Sequence, residues 1–145
     1  MPVYLGKSEA MRNPTEVLIH AYYNNFNRKD VAGFLDVLSE DVVHDINQDG
    51  REVGKPAFRS FLERMNRSYD ETVVDLQVMT NEDGSRAAAE FTVLGAYINT
   101  DEGLPPARGQ RYRLQAGAFF ELKNGKIARI SNTYNLKDWL RQVEA

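Results

Sequence analysis

Hydrophobic positions recur along this chain at two different periods, and the change between them divides it. In the first half the spacing is helical. Leu18, Tyr22 and Phe26 stand four apart with Val17 and Ala21 beside them, which makes one apolar stripe ending near Asn27. Asn13-Pro14-Thr15-Glu16 opens that helix, because Asn13 can cap, Pro14 suits the first helical position and Glu16 follows three residues after the cap. Asp30 caps a second, short helix with Val31, Phe34, Leu35 and Leu38 on one face, and Ser39-Glu40-Asp41 breaks it. Val42 to Asn47 reads as a short strand, and Asn47-Gln48-Asp49-Gly50 as a turn. Lys55-Pro56 opens a third helix, in which Phe58, Phe61, Leu62 and Met65 keep helical spacing.

After residue 72 the period drops to two. Val74, Leu76 and Val78 alternate within a strand from Thr72 to Thr80, and Glu82-Asp83-Gly84 turns the chain back. Long strands follow at Arg86 to Asn99 and Gln110 to Lys123, then Lys126 to Tyr134 after the hairpin signal Lys123-Asn124-Gly125. A short amphipathic helix from Leu136 to Val143 closes the pattern. Three helices followed by a meander of strands predict an α+β domain: helices packed on one curved, mainly antiparallel sheet around a pocket. The segment Thr100 to Gly109, with Pro105-Pro106 inside it, is longer than a hairpin needs and is a candidate rim or lid. Residues 1–12 read as a loosely held arm on a single domain spanning 1–145.

Composition narrows the chemistry. The 145 residues are 42% hydrophobic, enough for one sizeable core, and the formal net charge is −3. With no Lys/Arg run, nucleic acid and acidic membranes are not expected partners. There is no cysteine, so disulfides, thiolate metal sites and cysteine nucleophiles are excluded. No apolar run approaches the length of a membrane span, and a cytoplasmic protein is expected. Neither His20 nor His44 has a carboxylate at a spacing that makes a set of three or four ligands, so no metal is expected, and with no Gly-rich phosphate loop no cofactor is expected either.

Several segments resemble the nuclear transport factor 2-like superfamily, and within it the ketosteroid isomerases and SnoaL-type polyketide cyclases. They are Tyr22…Asn27-Arg28-Lys29-Asp30-Val31, then Leu38-Ser39-Glu40-Asp41-Val42-Val43-His44-Asp45, then Gly54-Lys55-Pro56-Ala57-Phe58. Glu90-Phe91-Thr92-Val93 and Phe119-Phe120-Glu121-Leu122-Lys123-Asn124-Gly125-Lys126-Ile127 extend the likeness to the C-terminal half. The resemblance implies a cone-shaped α+β roll with a blind pocket. It also implies an isomerase, lyase or cyclase that transfers a proton next to a carbonyl on a small apolar cyclic substrate. Because this scaffold hosts many activities, a non-catalytic ligand-binding module is the alternative.

The resemblance distributes roles residue by residue. Tyr22 matches the tyrosine that donates to the developing oxyanion; the plainer reading is a core tyrosine with a backbone partner. The base position is read two ways. Counting forward from Glu40-Asp41 reaches Ile46, and counting back from Gly54 reaches Asp45. Strand alternation turns either Val43, Asp45 and Asn47 inward or Val42, His44 and Ile46, so the base is Asp45, favoured by the motif, or His44. The second oxyanion donor, an acid in the family, is replaced here by Ala118, and Leu62 stands where steroid isomerases carry a supporting tyrosine.

Alternation on the remaining strands proposes the pocket lining. Ile130, Asn132 and Tyr134 share one face, and Asn132 or Tyr134 could replace the missing donor. Phe91, Val93 and Tyr97 on one strand, and Tyr112, Ala118 and Phe120 on the next, are expected to face inward with Ala89, Gly95, Leu114 and Ala116; Phe58 joins them from the third helix. Small residues beside large rings suggest a roomy apolar cavity, and hence a small apolar ligand as partner. The opposite face carries Glu90, Thr92, Leu94, Arg111, Arg113, Gln115 and Glu121; the resemblance implies a homodimer through it.

Overall fold

The structure, a computed structural model, describes residues 13–145; the expected N-terminal arm lies outside them. Helix α1 (Pro14–Asn27) begins at its capping sequence, with Asn13 Oδ1 accepting from the Glu16 amide at 2.8 Å. Helix α2 (Val31–Asp36) is capped by Asp30, whose carboxylate accepts from the Gly33 amide. The chain then becomes extended earlier than expected. Strand β1 (Leu38–Asp45) already includes Leu38, because Val37 and Leu38 find sheet partners around Ile127 and Leu38 is buried there. A three-residue strand β2 (Arg51–Val53), too short to show a period, leads into helix α3 (Lys55–Ser68). Strands β3 (Tyr69–Thr80), β4 (Arg86–Tyr97), β5 (Gln110–Lys123) and β6 (Lys126–Tyr134) and helix α4 (Leu136–Glu144) complete the chain.

The six strands lie in the order β2-β1-β6-β5-β4-β3. The four long strands pair antiparallel in sequence order, as expected, while β1 runs parallel to β6 and is an inner strand, with β2 at the edge. The β5–β6 hairpin turns on Asn124 and Gly125, both at positive φ (52° and 74°), the conformation that two-residue turns of this kind require. The opposite edge, β3, is covered by the end of α1. Asn27 donates to the Val73 carbonyl at 2.9 Å and accepts from its amide at 2.8 Å, so one side chain replaces a strand neighbour.

Register determines what faces the helices. Cross-strand partners share a face, so Ala87, Ala89, Phe91, Val93, Gly95 and Tyr97 of β4 stand with Phe120, Ala118, Ala116, Leu114, Tyr112 and Gln110 of β5. Asn132 and Ala118 are partners and lie on this inner face. On β3 a bulge between Val74 and Gln77, with Asp75 at φ 55°, reverses the phase. Tyr69, Glu71 and Val73 therefore face inward before the bulge, and Val78 after it. The segment between β4 and β5 is pinned as a rim. The Tyr97 hydroxyl donates to the Pro105 carbonyl at 2.6 Å and accepts from the Asp101 amide at 2.9 Å.

Gly95 is required by a close approach. A Cβ there would lie 2.4–2.6 Å from the ring and hydroxyl of Tyr112, its cross-strand partner. The ring is buried under α4, against Trp139 at 5.9 Å, and cannot swing away. Gly95→Ala should therefore destabilise the fold by about 1–3 kcal/mol, as overpacking does. In a background carrying Tyr112→Leu, the same change should cost clearly less. Urea denaturation of the four proteins reads both numbers, and equal losses in the two backgrounds would show that the ring is not the obstacle.

Candidate functional site

The closed end of the cone is a cluster of rings. Tyr22 packs on Phe34 (ring centroids 4.4 Å apart) and meets Tyr23 and Phe120 edge-on at 4.9 and 5.7 Å. Tyr23 touches Phe91 at 5.0 Å and Phe120 at 6.2 Å. Those two residues flank the Ala89–Ala118 pair in the register, so the Tyr23 ring lies over that pair. The two alanines are small because a phenol of the first helix occupies the space above them. The roomy floor expected from the alternation of small and large residues is thus taken up by a side chain of the protein. Burial holds both phenols protonated far beyond neutral pH.

Strand β1 resolves its two readings. Val42 and His44 face inward and are buried, at 0% and 1% exposure. The imidazole stacks on Phe58 (4.2 Å, 13°) and meets Phe61 edge-on at 4.6 Å. Its Nδ1 is buried without a hydrogen bond among the described residues. Desolvation pushes its pKa down to about 4, against a smaller opposing pull from the charge of Asp45, so the ring is neutral at physiological pH. Asp45, the favoured base, faces the other way. It accepts from Arg51 at 2.6 Å and from Arg129 at 3.1 Å on the outer face, where Arg129 also binds Glu121. The Arg51 hydrogen bond, then that of Arg129, hold its carboxyl below the usual carboxylate range. Neighbouring strand residues alternate sides, and the guanidinium groups of β2 and β6 are on the outside. Asn47 lies beyond the strand, and its amide donates to the Tyr134 carbonyl at 3.0 Å, tying two loop ends together.

Phe58, Phe91, Val93, Ala118 and Phe120 all lie buried on the wall around these rings. Tyr97 and Tyr112 face inward too but belong to a second cluster under α4. There Tyr97 stacks on Tyr69 at 5.4 Å and meets Trp139 at 5.0 Å. This cluster holds a carboxyl that the alternation had not placed inside. Glu71 accepts from the Tyr112 hydroxyl, and burial raises its pKa against the lowering effect of that bond. The apolar alternation of Val74, Leu76 and Val78 continues backwards to put Glu71 outside; the bulge at Asp75 reverses it. Along β6 the exposure rises from Ile130 at 0%, through the half-buried Asn132, to Tyr134 at 38%. The inner face therefore opens at Asn132 and Tyr134.

Two clefts lie away from this face. A slot of about 10 Å³ runs between Asn25, Phe34, Leu62 and their neighbours. An open cleft of about 470 Å³ on the outside sets Lys55, Lys123 and Lys126 against Asp36, Glu40 and Asp41. Among the described residues no cluster of three metal-ligating side chains occurs, and no helix is long and apolar enough to cross a membrane.

A family profile described as the SnoaL-like domain matches residues 19–130. A proposed polyketide cyclase from Pseudomonas putida is 58% identical, with a TM-score of 0.88 over 91% of this chain and 98% of its own. A second from Xanthomonas campestris is 51% identical, TM-score 0.88, over 90% and 96%, and a third from a Silicibacter species is 45% identical, TM-score 0.89, over 91% and 96%. A nuclear transport factor 2-like protein from Burkholderia xenovorans, at 14% identity and TM-score 0.72, shares the fold. Among proteins with curated functions, none matches the sequence.

The burial of His44 has a consequence for stability. Unfolded, the ring takes its proton near pH 6.5; folded, near 4. Between these values the unfolded chain binds the extra proton, so stability falls as the pH is lowered through that window, by on the order of 3 kcal/mol in all. Chemical denaturation at pH 4.5 and 7 should show this loss in the wild type and a much smaller one in His44→Gln. Equal losses in the two proteins would show that the imidazole is not buried as a neutral ring.

Proposed function

The chain belongs to the SnoaL-like domain family, and from that premise we propose that it transfers a proton next to a carbonyl on an apolar, cyclic or polyketide-like substrate. Ring closure by a polyketide cyclase and double-bond migration by an isomerase share this step. The observation that carries the reading is His44: a neutral imidazole on the inner wall, with one ring nitrogen buried and unpaired. Such a nitrogen can accept a proton, and neither a cofactor nor a metal is needed for it to do so. The same burial that keeps the ring neutral makes it a weak base. It suits a carbon already acidified from both sides, as between the carbonyl groups of a poly-β-ketone or between the carbonyl and the aromatic ring at C1 of β-tetralone, better than the α-carbon of a simple ketone. That preference agrees with the cyclase assignment proposed for the three similar bacterial proteins.

The oxygen that gains charge in this step needs a donor, and α1 brings the phenols Tyr22 and Tyr23 to the inner face. Asn132 and Tyr134 stand at the open end, where they can meet a polar group on the outer part of a ligand. Asp45 is occupied by two arginines on the far side of β1 and has no part in the chemistry.

Exchange of the α-protons of β-tetralone in D2O, followed by proton NMR, tests the reading. Wild-type protein should accelerate exchange at pH 7, and His44→Gln should lower that acceleration by roughly a hundredfold or more, the range of a general base. Asp45→Asn should stay within about twofold of the wild type, since it removes only a surface ion pair. Wild-type protein that binds β-tetralone without exchanging its protons would leave the ligand-binding module as the correct description.

A further inference from the structure

A base that takes a proton must give it up to water before it acts again, and His44, held against Phe58 and Phe61, is almost sealed from water. Glu52 stands directly opposite it. The two are cross-strand partners of β1 and β2, so their side chains share the inner face with Cβ atoms about 4.5–5.5 Å apart. Arg51, next to Glu52, points the other way, to Asp45 on the outer face. Glu52 is half-buried on the edge strand, between the exposed Arg51 and Val53. One of its carboxylate oxygens, Oε1, is enclosed without a partner among the described residues, as Nδ1 of His44 is. The other, Oε2, is neither bonded nor enclosed, and so meets water. An oxygen enclosed without a donor is destabilising in itself, so packing alone does not account for the inward turn of this side chain. The two enclosed atoms are complementary: a carboxylate only accepts, and an imidazole nitrogen that has taken up a proton donates. They do not bond as the side chains stand, and rotation about the torsions of Glu52 closes the gap that the Cβ spacing leaves.

We infer that Glu52 is the proton exit of His44: its carboxylate takes the proton from Nδ1 on the enclosed side and releases it to water at the edge of the sheet. This rests on the reading of His44 as the base. Glu52 does not touch the ligand; it is a positioning residue that acts through the imidazole. In the first step the C–H electron pair moves onto the carbonyl oxygen as Nδ1 takes the proton. The N–H bond then breaks, its electron pair stays on Nδ1, and the proton forms an O–H bond with Oε1 of Glu52. The carboxyl group, neutral at that moment, loses the proton to water, and the ring is again a neutral base. The low proton affinity that burial gives the imidazole favours the transfer. The same path in reverse carries a deuteron from D2O to the ring, which exchange at the substrate carbon requires.

Two measurements on the wild type, Glu52→Gln and Glu52→Asp test the relay. The first, without ligand, follows exchange of the His44 ring N–H with water by 15N NMR. Exchange should be roughly tenfold slower or more in Glu52→Gln, which can accept no proton, and close to the wild-type rate in Glu52→Asp. Replacing a glutamate that only packs would loosen the strand edge and speed exchange, so the sign of the change separates the two roles. The second measurement is β-tetralone exchange in D2O at saturating ligand. Its rate should fall roughly tenfold or more in Glu52→Gln with KM unchanged, and recover in Glu52→Asp. Ring-proton exchange that is as fast or faster in Glu52→Gln, including exchange too fast to resolve in both proteins, would overturn the relay. A loss of β-tetralone exchange seen only in KM would overturn it as well. Wild-type protein that exchanges no β-tetralone protons would overturn the proposed reaction, and the ring-proton rates alone would then decide the part of Glu52.

Discussion

The contact on which the rest of this molecule depends is the seat that the Ala89–Ala118 pair gives to the ring of Tyr23. Two methyl side chains, adjacent across β4 and β5, leave room on the concave face between Phe91 and Phe120 for the ring that the first helix sends down. From that seat the packing spreads outward. Tyr22, one residue earlier on the helix, reaches Phe34 of α2, and Phe34 reaches Phe58 of α3 at 5.5 Å. Phe58 in turn carries the imidazole of His44. Three helices and an inner strand are thus held through one chain of ring contacts. Larger residues at either alanine would lift the helix and loosen the whole series, because close-packed interiors do not absorb added volume locally.

That interior tolerates polar groups that work against its stability, and they are not all of one kind. His44 is buried neutral and resists gaining a proton, whereas the Glu71 carboxyl is buried and resists losing one. The first weakens the fold in acid. The second, with its folded pKa raised, weakens it as the pH rises through that value. Tyr112 answers Glu71, but nothing among the described residues answers His44 Nδ1 or the Tyr23 hydroxyl. Buried polar groups are nearly always satisfied in native structures. Of the four buried side-chain atoms without a partner among the described residues, three share the inner face: His44 Nδ1, the Tyr23 hydroxyl and Oε1 of Glu52, the cross-strand partner of His44; the proposed function rests on this face.

The sequence shows the helix caps, the two hairpins and the four long strands because each is a local signal: Asn13, Asp30, Asn124-Gly125, and uninterrupted alternation. What it hides is set by pairing at a distance. Leu38 fits a helical stripe as well as a strand, and only the partner Ile127 decides between them. Glu71 is placed inside by a bulge that no residue in Val74-Asp75-Leu76 announces, since aspartate at positive φ is uncommon. The alanines looked like vacant space because alternation reports which side chains face the interior and not which helix comes down upon them. Tyr23 went unmarked because the family pattern draws attention to the tyrosine before it.

The choice between Asp45 and His44 depends on the outer face of β1. A one-residue slip of a strand turns every side chain to the opposite side, so whatever opposes the slip also decides which titrating group meets the interior. Here Asp45 sits between Arg51 of β2 and Arg129 of β6, and Arg129 also holds Glu121 of β5. These pairs are partly exposed, and each contributes little to stability by itself. Together they join four strands on one side of the sheet. The slipped register would break them and move Asp45 to the interior with no arginine to meet it there, a penalty far larger than the gain from the native pairs. The carboxylate that resembles a catalytic base thus acts by exclusion. It anchors β1 to the outside, and so the uncharged imidazole beside it is the group that faces the rings.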